Sequence, residues 1–258
     1  MRKIVPTFMM CTACLGCLIL LAALPAAGLA QTPARAAKAE VSPDARFRLG
    51  SVLYEDNFQH GLESWKAEME KPATVLAKDG VLDLDAPAGL TLWFTHELDG
   101  PVMISYDAVV VAAGGPNDRV SDLNCFWMAS DPSSPQDLFA HPRSGAFPTY
   151  NSLHSYYVGL GGHNNTSTRF RRYIGDNDDR PLLPENDLAG ADKMIVPNRM
   201  EHIRLVADGR LIQFYRGQER YFEMVDAQPY TRGWFGIRTT RSHLRIQNLK
   251  IVRLIPND

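Results

Sequence analysis

Short apolar or alternating runs recur along the chain between clusters of Gly, Pro, Asn and Asp, with little helical spacing among them. Gly80-Val81-Leu82-Asp83-Leu84, Thr91-Leu92-Trp93-Phe94 and Val102 to Val111 are the first. Leu123 to Met128, Ser155 to Leu160, Thr166 to Tyr173, Ile203 to Ala207, Leu211 to Tyr215, Trp234 to Arg238 and His243 to Leu254 follow. Runs of this length predict strands of an all-β sandwich. Asp208-Gly209, set between two of them, predicts a hairpin, because Gly supplies the positive φ such a turn needs. A second hairpin is expected across Gly161-Gly162-His163-Asn164-Asn165. Residues 129–153 and 174–199 carry no period and are rich in Pro, Asp and Asn. They read as long loops, which in a compact domain more often carry function than merely connect.

The N-terminus has a different pattern. Met1-Arg2-Lys3 is followed by an apolar stretch from Ile4 to Leu24, and Gly28-Leu29-Ala30 places small residues where signal peptidase cuts. The expectation is a signal peptide over 1–30 and release of a chain starting at Gln31. The protein is then exported to the periplasm or the medium, with no membrane attachment after cleavage. Residues 31–50, rich in Ala and Pro, read as a disordered linker, and 51–258 as a single β-sandwich domain. Cys11, Cys14 and Cys17 leave with the signal, so Cys125 alone remains and no internal disulfide can form. Its setting in Leu123 to Met128 marks it as a buried, inert thiol.

Of 258 residues, 45% are hydrophobic and 22% charged, with 27 Lys+Arg against 29 Asp+Glu. That balance gives no reason to expect a nucleic-acid partner. G-x-x-x-x-G-K-[ST], G-x-S-x-G and H-E-x-x-H are all missing, so nucleotide, serine-hydrolase and zinc chemistry lack support.

Alternation along a strand separates Tyr156, Val158 and Leu160 from Ser155, Tyr157, Gly159 and Gly161, and Thr168 and Phe170 from Arg169, Arg171 and Tyr173. With the apolar sets facing the core, Tyr157, Arg169, Arg171 and Tyr173 share an outer, concave face with room beside the glycines. Guanidinium forks suit a carboxylate or sulfate, and aromatic rings suit sugars. The expected partner is therefore an acidic poly- or oligosaccharide. Eliminative cleavage of a uronate needs a carboxylate neutraliser, a base and an acid. Candidate acid or base groups are His154, Tyr157, His163 and Tyr173. Candidate substrate-binding groups are Arg143, Asn165, Arg169, Arg171, Arg238 and His243, the last two in a C-terminal loop.

Tyr54-Glu55-Asp56-Asn57-Phe58 with Gly61-Leu62 and Trp65 resembles the opening strand of concanavalin A-like lectin/glucanase jelly rolls. Gly233 to Arg238 followed by Leu244 to Ile251 resembles their closing strands. Tyr156 to Tyr173 is similar to a bacterial secreted family of unknown function within that superfold. The resemblance, over about residues 52–254, implies a jelly-roll β-sandwich of two antiparallel sheets. It leaves activity open, since the superfold carries lectins, glycoside hydrolases and polysaccharide lyases. The leading expectation is a polysaccharide lyase. The alternatives are a lectin-like module stacking sugar on Trp93, Trp127 or the Tyr face, and a hydrolase using a pair drawn from Asp122, Asp137, Glu185 or Asp187. No E-x-D-x-x-E run supports the hydrolase. No cofactor is required; a structural Ca²⁺ has candidate ligands in Asp176-Asn177-Asp178-Asp179, or in Glu55, Asp56 and Asn248.

Overall fold

Fourteen strands follow one another through residues 40–257, which the computed structural model describes. They are β1 (Phe47–Asp56), β2 (Trp65–Met69), β3 (Thr74–Lys78), β4 (Val81–Phe94), β5 (Leu98–Asp99), β6 (Val102–Val110), β7 (Leu123–Ser130), β8 (His154–Gly161), β9 (Ser167–Ile174), β10 (Asp187–Leu188), β11 (Met200–Asp208), β12 (Leu211–Arg216), β13 (Glu219–Val225) and β14 (Arg232–Pro256). All pairings are antiparallel, and the sheet curls on itself into a jelly-roll sandwich.

The two layers share their longest strands. The end of β4 and the start of β14 join β2, β7, β8, β9 and β10 in the first layer. The start of β4 and the middle of β14 join β3, β6, β11, β12 and β13 in the second, with β1 along the end of β14. Strand β14 bends where its register shifts, near Arg241 (φ 48°) and Asn248 (φ 55°). The C-terminal loop expected around Arg238 to His243 is thus a bulge inside one strand, and the runs on either side are halves of it. The two expected hairpins form: Gly209 turns at φ 55° between β11 and β12, and residues 162–165 join β8 to β9.

Inward-facing side chains of both layers make the main core. Leu92, Ile104, Trp127, Tyr156, Val158, Phe170, Leu205, Phe235 and Ile237 are all buried in it. Each contributes about 1.5–3 kcal/mol of transfer free energy. Cys125 lies among them, and burial pushes its thiol up to about 12, which makes it inert.

The signal peptide, the cut before Gln31 and residues 31–39 lie outside the described residues. From Glu40 onward the expected linker is instead held on the second layer. Ser105 Oγ donates to Glu40 at 3.3 Å, Gln213 Nε2 donates to Asp44 at 2.8 Å, and Phe47 already opens a strand.

The candidate calcium ligands have other partners: Glu55 meets Lys250, Asp56 accepts from Trp65 Nε1, and Asn248 donates to Asp107. Asp176 accepts the amides of Asp178 and Asp179 in a local turn. Among the described residues, no group of three or more His, Cys, Asp or Glu is arranged to hold a metal.

Candidate functional site

Strand register lays the outer face of the first layer out in rows. One row runs Glu68, Thr91, Arg238, Asn124, Gly159, Arg169, Asp187 across β2, β4, β14, β7, β8, β9 and β10. The next runs Lys66, Trp93, Gly236, Phe126, Tyr157, Arg171. The aromatic part of this face is roofed by the loop of residues 131–153. Leu138, Tyr150 and Leu153 pack on Trp93, Phe126, Tyr157 and Tyr173, with Phe147 at the margin. Trp93 and Trp127 are both 0% exposed, so neither offers a platform for sugar.

Beyond this roof lies a cavity of about 410 Å³. Its floor is Asn124, Tyr157, Gly159, Arg169 and Arg171; its walls include Arg119, Asp122, Phe147, His163, Arg180 and Thr240. Gly159 makes the room, because a Cβ there would sit 3.2 Å from Tyr157 Oη.

The four guanidinium groups of the cavity divide into two kinds. Arg119 meets Asp122 at 2.5 Å, donates to Asn164 Oδ1 and to the Arg241 carbonyl, and also reaches the Thr240 carbonyl. Arg169 grips both oxygens of Asp187, at 2.7 and 3.0 Å, and so holds that carboxyl below its usual range. Among the described residues, Arg171 and Arg180 have no carboxylate partner. Arg171 donates to the Arg180 carbonyl, and the Arg180 guanidinium lies 5.2 Å from the centre of the Phe147 ring. Burial first, then the neighbouring Arg180 and Arg169, depress the Arg171 pKa. An anion in the cavity relieves that crowding.

Tyr157 is 5% exposed, and burial lifts its phenol well above the ordinary value, so it stays protonated. His163 stands in the β8–β9 turn at φ 54°, with Nδ1 2.8 Å from Ser167 Oγ and 3.4 Å from Arg169 Nη1.

Of the ten site residues expected from sequence, Tyr157, His163, Arg169 and Arg171 line this cavity. The other six do not. His154 stacks on Tyr230 at 5.1 Å, and burial lowers its pKa. Tyr173 is sealed beneath the loop. Arg143 grips the buried Glu68. Asn165 clasps the Ile195 backbone in both directions, a turn-locking role. His243 bridges Asp83 and Asp118 at 3.0 Å each. Arg238 is buried under the loop, donating to Thr91 Oγ1 and the Gly145 carbonyl.

Of the hydrolase candidates, Asp122 lines the cavity and the other three do not. Asp122 and Asp187 are tied to arginines, Asp137 caps the Phe139 amide, and Glu185 sits in a short 3₁₀ turn. Asn124 was within reach of sequence reasoning, since it alternates with Leu123 and Cys125. Arg119, Phe147 and Arg180 come from loops, where no period points to a face.

Residues 84–249 match the sequence model of a family described as Domain of unknown function (DUF6250). No curated protein matches the chain. Among solved structures, a Bacillus subtilis protein of unknown function with a galectin-like fold shares 15% identity over 82% of this chain and 100% of its own, with a TM-score of 0.65. The carbohydrate-binding module CBM66 from Bacillus subtilis shares 12% over 74% of this chain and 96% of its own, at 0.51. LamA from Z. galactanivorans, solved with laminaritriose and laminaritetraose, shares 11% over 80% of this chain and 100% of its own, at 0.51. These likenesses establish the jelly-roll fold.

Proposed function

The chain belongs to the DUF6250 family, and we propose, from its N-terminal sequence, that it is exported and, from its cavity, that it binds an acidic saccharide and cleaves it by β-elimination at a uronate. One observation carries the reading: Arg171 and Arg180, without carboxylate partners among the described residues, stand in one cavity with Tyr157 and His163. Similarity to CBM66 and to LamA with its bound laminari-oligosaccharides supports a saccharide as the partner.

In this reading the uronate carboxylate lies against Arg171 and Arg180, which stabilise the negative charge that develops as the proton at C5 departs. His163 accepts that proton. The C5–H electron pair becomes the C4–C5 double bond, and the C4–O bond breaks with its pair going to oxygen. Tyr157, still protonated, gives its proton to that oxygen, and solvent restores both groups. No cofactor is needed for this sequence. The canonical hydrolase mechanism uses two carboxyl groups flanking the bond, and among the described residues Asp122, paired with Arg119, is the one carboxylate that lines the cavity.

The test is to incubate the purified protein with a panel of acidic and neutral polysaccharides and follow ultraviolet absorbance of unsaturated uronate. A rise on an acidic polymer supports elimination. Binding to acidic polymers without a rise replaces it by a non-catalytic, lectin-like module. Neither binding nor a rise rejects the site.

A further inference from the structure

We infer that the cavity takes the end of an acidic glycan chain, or a short acidic oligosaccharide, and excludes the interior of a long polymer. This rests on the acidic-saccharide reading above and follows from the way the loop of residues 131–153 obstructs the outer face of the first layer. A polymer crossing that face would run perpendicular to the strands, along the row Thr91, Arg238, Asn124, Gly159, Arg169.

The row is open from Asn124 to Arg169 and shut at Arg238. Arg238 is 1% exposed; its Nη1 donates to the Gly145 carbonyl at 2.9 Å, and the rings of Phe147 and Tyr150 are centred 5.0 and 4.8 Å from its guanidinium. Further along, the loop backbone rests directly on β2 and β4. A Cβ on Gly145 would fall 2.4 Å from the Glu70 amide nitrogen, and one on Gly89 would fall 2.3 Å from the Gly145 carbonyl oxygen. Only glycine pairs allow that approach, and it leaves no gap for a sugar ring.

The far end of the loop is fixed as well, where the Gly175 amide donates to the Leu153 carbonyl at 3.0 Å. Anchored at both ends and packed on buried aromatic rings, the loop is a wall. Along the strand direction, Phe147 bounds one side of the cavity, and the Arg119–Asn164 hydrogen bond of 2.5 Å bounds the other. The open side lies toward the Arg169–Asp187 pair, whose side chains are 29% and 33% exposed. The volume of about 410 Å³ sits near the lower end of the range for small-ligand pockets, about 300–1,000 Å³. A cavity that is blind at one end and of this size admits a terminus.

The experiment uses narrow chain-length fractions of polygalacturonate and of alginate, at equal mass of uronate, with binding measured by calorimetry and cleavage by ultraviolet absorbance. Recognition of ends makes the response follow the number of chains, so halving the chain length doubles the sites titrated or the initial rate. A response that follows uronate mass regardless of chain length overturns this inference and leaves the acidic-saccharide reading standing. No response to any fraction of either polymer, the dimer and trimer included, overturns both.

Discussion

Replacing Arg171 by methionine removes a charge while keeping an unbranched stem of similar reach, and the structure separates what this does to binding from what it does to folding. Among the described residues Arg171 has no carboxylate partner, and burial beside Arg180 and Arg169 disfavours its charged form. Folding loses one hydrogen bond from a charged donor, to the Arg180 carbonyl, worth about 1.5–3 kcal/mol. It regains much of that by no longer burying a crowded cation. The net change is within about 1 kcal/mol, a shift in Tm of no more than about 2–4 °C for a domain of this size. Binding loses a charge-assisted hydrogen bond to the ligand, worth about 1.5–3 kcal/mol, which weakens an acidic oligosaccharide by about 10- to 150-fold. Calorimetric titration gives the affinity and a thermal melt followed by circular dichroism gives the stability. The affinity of Arg171→Met should also depend less on salt than that of the unsubstituted protein, because one fewer charge contact is screened. Unchanged affinity refutes the role assigned to Arg171. A large fall in Tm refutes the claim that its charge is held for a ligand and not for the fold.

Gly159→Val should abolish saccharide binding at a cost of about 1–3 kcal/mol of stability, since a Cβ there would stand 3.2 Å from Tyr157 Oη and fill the floor of the cavity; titration and a melt on the same sample check both halves. Glu68→Gln leaves the buried Arg143 guanidinium, 6% exposed, without its counter-charge, so urea unfolding should show a loss of about 3–5 kcal/mol. His202 is raised to about 9 by hydrogen bonds to Asp107 and then Glu40, so folding favours its protonated form. That stabilisation is fully present below the ordinary imidazole value of 6.5 and is lost as pH rises through about 9. With the ring about a third exposed, it amounts to about 1 kcal/mol. Urea midpoints should therefore fall over that window in the unsubstituted protein and stay flatter in His202→Gln.

Strand alternation made much of this fold legible. Tyr157, Arg169 and Arg171 were placed on the outer face by period alone, and register puts them there. What alternation cannot report is whether a second layer covers an outer face. Tyr173 has the same parity as Arg171, yet it lies under the loop of residues 131–153 while Arg171 borders open space. The covering loop carries its contacts on Leu138, Phe147, Tyr150 and Leu153, spaced without a period, so nothing in the pattern announced a second aromatic cluster. Turn residues misled for a different reason. Thr239 to Ser242 reads as a loop because polar β-branched and charged residues follow one another, but a bulge at Arg241 absorbs the irregularity and the strand continues. Asn165 and His243 looked available because polar residues in turns usually face water. Each is instead consumed by local order, one holding the Ile195 backbone and the other bridging two aspartates.

The division of one sheet face into a covered aromatic half and an open cationic half also bears on which ligand the protein selects. Had the aromatic half been exposed, stacking would have held neutral and acidic sugars alike. With Trp93, Phe126 and Tyr150 sealed, the charged groups of the open half are four guanidinium groups and Asp122; two of the four are matched by Asp122 and Asp187, and two have no carboxylate partner among the described residues. A neutral saccharide entering the cavity displaces water from Arg171 and Arg180 and returns no charge in exchange, which costs free energy. An anion restores the lost solvation and at the same time cancels repulsion between the two cations, repulsion already present in the free protein. On the proposed reading, selectivity for acidic ligands would arise as much from penalising the neutral competitor as from attracting the charged one. That penalty depends on the loop staying in place, because the roof withholds the rings of Trp93, Phe126 and Tyr150 from a neutral sugar.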